Sequence, residues 1–187
     1  AIRYGGLAAE LDGAGLTVVD DGDVAAAPAE ARDPEAEAPS EGNAKFLRET
    51  REVVTSLADR VAAALEDGET PLVLGGDHSV AIGSVTGSAR DAEVGLVWFD
   101  AHGDFNTPST SPSGNVHGMP LAALLGVGDF ADTPWANADG LREEHVAIVG
   151  LRDLDPTERE AINDSDVTAY TMSDIDERGI DAVVDDA

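Results

Sequence analysis

Hydrophobic and polar residues follow two different periods along the chain, one typical of helices and one typical of strands. Apolar residues at a spacing of three to four predict helices over residues 2–11 and 43–67, the second ended by Gly68. Further helices are expected from Val80 and near Pro120. Short apolar runs predict strands at residues 16–19, 71–74, 94–99, 146–151 and 167–170. Strands that alternate with helices predict an α/β fold of three layers, in which helices cover both faces of a mostly parallel sheet.

Two segments in the first quarter of the chain fall outside this alternation. Residues 25–42 are rich in Ala, Pro and Glu, which predicts a surface loop. Asp20, Asp21 and Asp23 could suggest a calcium site, but a calcium loop also needs later ligand positions and a closing glutamate. These are missing, and we interpret the Asp cluster as a solvated turn.

Length and composition predict one domain over residues 1–187. The chain is 42% hydrophobic, which supports a sizeable core. Its apolar runs are of strand length, and its first residues lack the basic start of a signal peptide. We therefore expect a cytoplasmic protein that does not span a membrane. The absence of cysteine excludes disulfides and thiolate metal ligands.

The charge of the chain limits its partners. Thirty-eight acidic residues face eleven basic ones, of which only Lys45 is a lysine, for a net charge of −27. Such a surface repels nucleic-acid phosphates and anionic lipids, which argues against both partners. Acidic residues spread along the chain with almost no lysine favour adaptation to high salt, where self-repulsion is screened. An acidic protein from an ordinary environment is the alternative.

Four candidate metal ligands follow two of the predicted strands. His78 lies in GGDHS after residues 71–74, and Asp100, His102 and Asp104 lie in DAHGD after residues 94–99. Ligands bind beyond the carboxyl ends of strands in open parallel sheets, so both motifs fall where a site is expected. Imidazole and carboxylate ligands without sulfur suit hard to borderline divalent metals. The pattern predicts a metallohydrolase.

Each motif also has a purely structural interpretation. In GGDHS the glycines could make a tight turn while Asp77 and Ser79 cap the next helix, which would leave His78 as an ordinary polar residue. DAHGD is harder to explain in this way, because it places three potential ligands in five residues at the edge of an apolar strand. Asp100, His102 and Asp104 would share one side if the strand geometry continued, so all three could converge on a metal pair.

Longer segments around these motifs resemble the arginases, a branch of the ureohydrolase family. They are PLVLGGDHSVAIGSV at residues 71–85, WFDAHGDFNTPSTSPSGNVHGMPLAALL at 98–125 and GLRDLDPTE at 150–158. AIRYGGLAAEL and YTMSDIDERGI extend the resemblance over nearly the whole chain. GGDHS and DAHxD are typical of ureohydrolases in general, whereas SGNVHG and GLRDLDPTE resemble arginases within them.

The resemblance implies two Mn(II) ions bridged by hydroxide. His78 and Asp104 would bind one ion, His102 the other, and Asp100 would bridge them. The hydroxide would attack the guanidinium carbon of L-arginine, and the products would be L-ornithine and urea. Asp104 would pass a proton to the departing amine, and His117 would shuttle protons at the mouth of the site.

The resemblance also implies a set of substrate-binding residues. Asn106, Ser113 and Asn115 would bind the α-carboxylate, with Ser111 helping through water. Asp155, with Glu158 nearby, would bind the α-amino group. Neutral donors suit a carboxylate and acids suit an ammonium group. A helix N-cap before Pro156 is the structural alternative for Asp155. His145 matches no such role and is interpreted as a surface or packing residue.

The resemblance further implies that residues 1–187 are a fragment of a chain of roughly 300 residues. SDID at residues 173–176 could be mistaken for a later Asp-x-Asp metal motif, but it lacks the Asp-Pro that follows that motif. Ser173 and Asp176 are instead expected to cap a helix. The fragment would then lack two metal ligands, a further acidic substrate contact, the first strand and other central strands, and would expose unpaired sheet edges. We expect it to bind manganese poorly and to be inactive by itself.

Two further functions remain open from the sequence. A ureohydrolase acting on agmatine or a guanidino acid would share the metal ligands but would not need Asn106, Ser113 and Asn115. A non-catalytic protein could keep the fold as a binding module. An arginase would be expected to assemble as a trimer or hexamer.

Overall fold

The structure is a computed structural model that describes residues 5–26 and 43–187. Seven α-helices and three β-strands lie in the described part of the chain. They are α1 (Leu7–Gly13), α2 (Leu47–Glu66), α3 (Val80–Ser88), β1 (Val94–Phe99), α4 (Pro120–Leu125), β2 (Leu141–Leu151), α5 (Pro156–Asp164), β3 (Thr168–Thr171), α6 (Met172–Arg178) and α7 (Ile180–Asp186). Two short 3-10 helices, Val116–Gly118 and Gly128–Phe130, flank α4. The predicted loop at residues 25–42 falls almost wholly outside the described residues.

The three strands form one parallel sheet in the order β1, β2, β3. Trp98 of β1 pairs in register with Ile148 of β2, and Ala147 pairs with Thr168 of β3. Parallel neighbours require a crossover connection, and helices supply it here. The predicted α/β fold with a parallel sheet is therefore confirmed.

Helices cover one face of the sheet over β1 and β2. Trp98 and Ile148 are 4% and 0% exposed and belong to a core cluster that includes Leu121 of α4 and Ile162 of α5. A second cluster fills the space between α2, α3 and the α4 region. Helix α6 contacts β2 and β3, and on the other face Val97 and Phe99 of β1 remain 45% and 61% exposed. The αβα layers are thus incomplete over β1.

Close packing of α2 against α3 depends on two glycines. A Cβ atom at Gly83 would lie 2.6 Å from Val54 O, and one at Gly87 would lie 2.6 Å from Ala58 O. Because no larger side chain fits there, the two helices approach backbone to backbone. This contact holds the start of α3, which directly follows the GGDHS motif.

Two predicted strands, at residues 16–19 and 71–74, are wrong. Neither segment is a strand in the structure, although both lie among the described residues. Their apolar side chains are largely exposed, with Val19 at 67% and Leu72 at 63%. A strand is stabilised by hydrogen bonds to a neighbouring strand, and neither segment pairs with a strand of the described sheet.

The boundaries of other elements also differ from the prediction. The long helix begins at Leu47 instead of residue 43, because residues 43–45 bond to a loop described below. A capping box does open α6, but Thr171 and Asp174 form it. Ser173 and Asp176, predicted for this role, lie inside the helix, because β3 continues in an extended conformation to Thr171.

The Asp cluster near residue 20 contains a local turn. Gly22 N donates a hydrogen bond to Asp20 Oδ1 at 3.0 Å, and Arg60 of α2 donates to Asp21 O at 2.9 Å.

Within residues 5–26 and 43–187, every helix is too short or too polar to cross a bilayer.

Candidate metal centre

Three of the four predicted metal ligands converge at the carboxyl end of β1. His78 Nδ1 lies 2.8 Å from Asp100 Oδ2 and 2.8 Å from Asp104 Oδ2. One ligand atom from each of the three residues lies within 4.8 Å of the others. His78 and Asp100 are 22 positions apart in the chain, and the α3–β1 unit brings them together.

The chemistry of this cluster fits a divalent cation. A single N–H on His78 Nδ1 can donate to only one of the two carboxylates at a time. Asp104 Oδ2 is buried and has no hydrogen bond of ordinary geometry within the described residues. Two carboxylates facing one imidazole nitrogen in a partly buried place are costly unless a cation binds between them. Oxygen and imidazole donors are typical of sites for such ions.

His102 lies on the other side of Asp100. Its Nδ1 is 3.2 Å from Asp100 Oδ1, and its backbone N–H donates to the same oxygen at 2.9 Å. Asp100 therefore directs Oδ2 toward His78 and Oδ1 toward His102. His102 itself is 58% exposed and stands outside the three-residue cluster.

The ring of His78 is held by a turn and by an aromatic neighbour. Asp77 Oδ1 accepts hydrogen bonds from the backbone N and the hydroxyl of Ser79, which close a local turn at these residues. Ser79 is the N-cap of α3 but makes no side-chain capping bond. The His78 ring stacks on Trp98, with centroids 4.2 Å apart. The turn and the cluster coexist, because Asp77 and Ser79 form the one while His78 points into the other.

Asp104 is fixed through its backbone. Its φ of 50° is in the left-handed region, which is uncommon for a residue with a Cβ atom and occurs at functional sites. Asp104 O accepts hydrogen bonds from Leu121 N and Ala122 N, at 3.0 and 3.2 Å, in the first turn of α4. The preceding Gly103 has no room for a side chain, because a Cβ atom would lie 2.6 Å from Ile162 Cδ1.

Neighbours within the cluster shift the pKa values of His78 and Asp100. Contact with Asp104 is the largest cause that raises the pKa of His78, and Asp100 adds to it against the opposing effect of burial. Partial burial raises the pKa of Asp100, but the His102 backbone N–H and the two imidazoles together lower it below its ordinary value. The lowered pKa of Asp100 favours its ionised carboxylate, the form that a metal ion requires.

Glu158 and Asp155 lie behind the DAHGD loop, at the start of α5. Glu158 is 5% exposed, and its Oε1 accepts a hydrogen bond from Phe105 N at 3.0 Å. Burial raises its pKa. Asp155 occupies the N-cap position before Pro156 without a side-chain capping bond, and its Oδ2 accepts from Asn106 Nδ2 at 3.2 Å. Asp155 therefore stands at the N-cap position, as the structural alternative predicted, but its carboxylate does not cap the helix.

The remaining predicted substrate residues lie on one loop. Asn106 and Ser111 are buried, Asn115 is half-buried and Ser113 is exposed. Ser111 Oγ accepts a hydrogen bond from Gly114 N at 3.0 Å, and Ser113 Oγ accepts one from Asn115 N at 3.2 Å. His117 is exposed in the 3-10 helix Val116–Gly118, outside the metal-binding cluster.

Two residues near the site were missed in the sequence analysis. Trp98 was assigned only to strand β1, but it forms the wall on which His78 stacks. Asp153 lies beyond β2, with Oδ2 3.7 Å from His102 Nε2, and its backbone N donates to Ala101 O at 3.0 Å. The position of Asp153 just after a buried parallel strand, two residues before Asp155, was a signal that could have identified it.

The parallel α/β sheet carries, at the carboxyl end of β1, a cluster of His and Asp residues that could hold a divalent metal ion. Comparisons with known proteins show the family in which this combination occurs. The sequence profile of the arginase family matches residues 2–187. The arginase of Staphylococcus aureus strain MRSA252 is 41% identical over 186 residues, 99% of this chain and 60% of that protein. The arginase of Brevibacillus brevis is 42% identical over 193 residues, 100% of this chain and 61% of that protein.

Solved structures agree with the sequence comparison. The crystal structure of arginase from Bacillus cereus superposes with a TM-score of 0.85 at 38% identity, covering 99% of this chain and 60% of that one. The chain belongs to the arginase family. It spans about 60% of the length of the relatives it matches.

Proposed function

We propose that residues 1–187 are part of a longer protein, here called the parent protein, which is a binuclear manganese hydrolase. It cleaves the guanidinium group of L-arginine to give L-ornithine and urea. One observation carries this proposal: Asp100 lies between His78 and His102 with one carboxylate oxygen toward each. Asp104 also contacts His78. Membership of the arginase family supports the reaction.

In this proposal the ligands divide as the geometry suggests. His78 and Asp104 would hold one Mn(II) ion, His102 the other, and Asp100 both. Two further aspartate ligands are expected from the rest of the parent protein. Bound Mn(II) supplies Lewis acidity and lowers the pKa of a water molecule, so that a nucleophile is present at neutral pH.

Proton transfer falls to Asp104 and His117. Asp104 is 4% exposed and its Oδ2 has no ordinary hydrogen bond within the described residues, so it can receive a proton and pass it to the departing amine. His117 is exposed, as a residue that exchanges protons with solvent must be.

Two groups of side chains select the substrate. Asn106, Ser111, Ser113 and Asn115 supply neutral donors to the α-carboxylate. Asp155 supplies a negative charge to the α-amino group. The buried Glu158 helps to hold Asp155 in position, because its hydrogen bond from Phe105 N connects α5 to the loop that carries Asp104 and Asn106.

The location of the parent protein is proposed from its charge, and its oligomeric state from its family. A net charge of −27 in 187 residues supports a cytoplasm of high salt concentration. Membership of the arginase family supports assembly as a homotrimer or homohexamer.

The decisive experiment measures urea release by the parent protein, loaded with Mn(II) in molar KCl. L-arginine and agmatine, which lacks the α-carboxylate, are supplied in parallel. Strong preference for L-arginine is expected. Preference for agmatine would keep the metal chemistry and refute the assigned carboxylate contacts. Absence of urea from both substrates would refute the hydrolase and favour a non-catalytic binding module.

A further inference from the structure

The loop of residues 106–115, here called the substrate loop, is held in shape by its own polar groups. The structure assigns it no helix and no strand. Thr110 N and Ser111 N donate to Thr107 O at 3.1 and 2.8 Å, which closes a turn. Thr110 Oγ1 accepts from Thr107 N at 2.8 Å and donates to Asn106 Oδ1 at 2.9 Å. The turn therefore sets the orientation of the Asn106 amide.

That orientation matters for an anionic ligand. With Oδ1 occupied by the Thr110 hydroxyl, the NH₂ group of Asn106 is directed away from the turn, and one of its two protons is donated to Asp155 Oδ2. The second proton remains a donor for a carboxylate. A rotation of the turn would change which end of the amide faces the site.

Asp129 binds this turn from outside the substrate loop. It lies in the 3-10 helix Gly128–Phe130, which follows α4. Its Oδ2 accepts from Ser109 N at 2.7 Å and its Oδ1 accepts from Ser109 Oγ at 2.9 Å. Partial burial raises the pKa of Asp129, but these two bonds and one from the Thr107 side chain together lower it below its ordinary value. The carboxylate is thus ionised at neutral pH and bonded through both oxygens.

A second anchor holds the substrate loop at Pro108, within the turn, and at Gly114. Asn43 N donates to Pro108 O at 2.8 Å, and Lys45 N donates to Gly114 O at 2.8 Å. These are backbone bonds, so they persist when a side chain of the turn is changed. Loss of the Asp129 contact should therefore shift the turn without detaching the loop.

We propose that Asp129 is a positioning residue for substrate specificity, which holds the turn at residues 107–111 so that Asn106 and Ser111 face the α-carboxylate of the substrate. Asp129 does not itself touch the substrate. Its effect passes through Ser109, Thr107 and Thr110. This inference rests on the proposed function and deepens it.

The test compares four variants of the parent protein: Asp129→Ala, Asp129→Asn, Ser109→Ala and the control Asp132→Ala. Asp132 is exposed, three positions further along the same segment, and its replacement removes the same charge. Two readouts are used. Hydrogen exchange of peptides covering residues 106–115 reports the anchor without any need for activity. Steady-state kinetics on L-arginine and agmatine report the consequence for specificity.

We expect Asp129→Ala to speed exchange in the substrate loop and to raise KM for L-arginine about tenfold, with kcat changed by less than about twofold. The kcat/KM for agmatine should stay within about twofold of the wild-type value, since agmatine has no α-carboxylate. Asp129→Asn and Ser109→Ala should each give a smaller shift in the same direction, because each keeps part of the contact.

Several results would overturn the inference. Asp129→Ala could behave like Asp132→Ala in both readouts, or it could lose activity on both substrates equally, as a purely structural residue would. If Asp129→Ala does not fold, Ser109→Ala decides by the same two readouts. Absence of urea from the wild-type parent protein would refute the proposed function instead; unchanged exchange in Asp129→Ala would then still refute the anchor.

Discussion

Asn106 donates a hydrogen bond from its side-chain Nδ2 to Asp155 Oδ2 across 3.2 Å. The contact joins the substrate loop after β1 to the start of α5 after β2. It places a neutral amide, proposed for the α-carboxylate, beside an acid proposed for the α-amino group. The two charged ends of an amino-acid substrate would therefore be recognised by neighbouring side chains on different loops.

The variant Asp155→Asn should weaken binding of L-arginine by the parent protein. An amide carries no charge and cannot form an ion pair with an ammonium group. Loss of the charged partner of such a hydrogen bond costs about 1.5–3 kcal/mol. KM for L-arginine should rise at least about tenfold. The kcat/KM for 5-guanidinopentanoic acid, which has no α-amino group, should remain near its wild-type value. An equal loss on both substrates, or a similar loss in the exposed control Asp164→Asn, would contradict the assigned role.

His78→Ala should reduce the manganese content of the parent protein from two ions to about one per chain. His78 Nδ1 is 2.8 Å from the carboxylates of Asp100 and Asp104. Its removal leaves this three-residue cluster without its only nitrogen donor among the described residues. Elemental analysis after dialysis measures the change. His145→Ala, at an exposed position on β2, serves as the control and should keep both ions. Full loading of His78→Ala would refute the cluster as a metal centre.

Gly103→Ala should destabilise the parent protein and displace Glu158. The added Cβ atom would lie 2.6 Å from Ile162 Cδ1 and 3.1 Å from Glu158 Cδ, and overpacking of this kind costs about 1–3 kcal/mol. Denaturant unfolding gives the free energy of unfolding. Gly13→Ala in α1 is the matched control, because no atom lies within 4 Å of its built Cβ position. Equal stability of the two variants would show that the space around Gly103 is not limiting.

The capping box of α6 should contribute a pH-dependent stability. Hydrogen bonds from the Thr171 side chain and backbone lower the pKa of Asp174 below its ordinary value of 3.8. A lowered folded-state pKa means that the contribution is complete above pH 3.8 and is lost as the pH falls through the lower, folded-state value. Asp174→Ala should therefore lower the Tm at neutral pH, and the difference from the wild type should shrink below pH 3.8. Asp176→Ala, which removes an exposed charge from the same helix, should show no such dependence.

The 187-residue chain by itself should bind manganese weakly. Only three ligand atoms converge in its described part, and His102 is 58% exposed beside them. Isothermal titration of Mn(II) into this chain and into the parent protein gives the comparison. Tight binding of two ions by the 187-residue chain would overturn the expectation that its site is incomplete.

Several helices and three strands could be predicted from residue pattern alone. Helix α2 buries apolar residues at helical spacing, and β2 buries an unbroken run from Val146 to Leu151; both patterns are local properties of the chain. The pattern was misleading at residues 16–19 and 71–74. Those residues are short apolar runs, as many strands are, but a strand also needs a neighbour, and the neighbour is decided by the rest of the fold.

The sequence by itself determined which residue types could form a site. GGDHS and DAHGD identified His78, Asp100, His102 and Asp104 by their ligand types; DAHGD does follow a parallel strand, β1, whereas residues 71–74 before GGDHS form none. Tertiary structure alone decided how they share their atoms: which oxygen of Asp100 faces which histidine, and that Trp98 supports His78. It also decided that Asp129 anchors the substrate loop at Ser109, 20 positions away in the chain. Spacing along a chain predicts contacts within one element, whereas contacts between elements depend on packing that has no local signature.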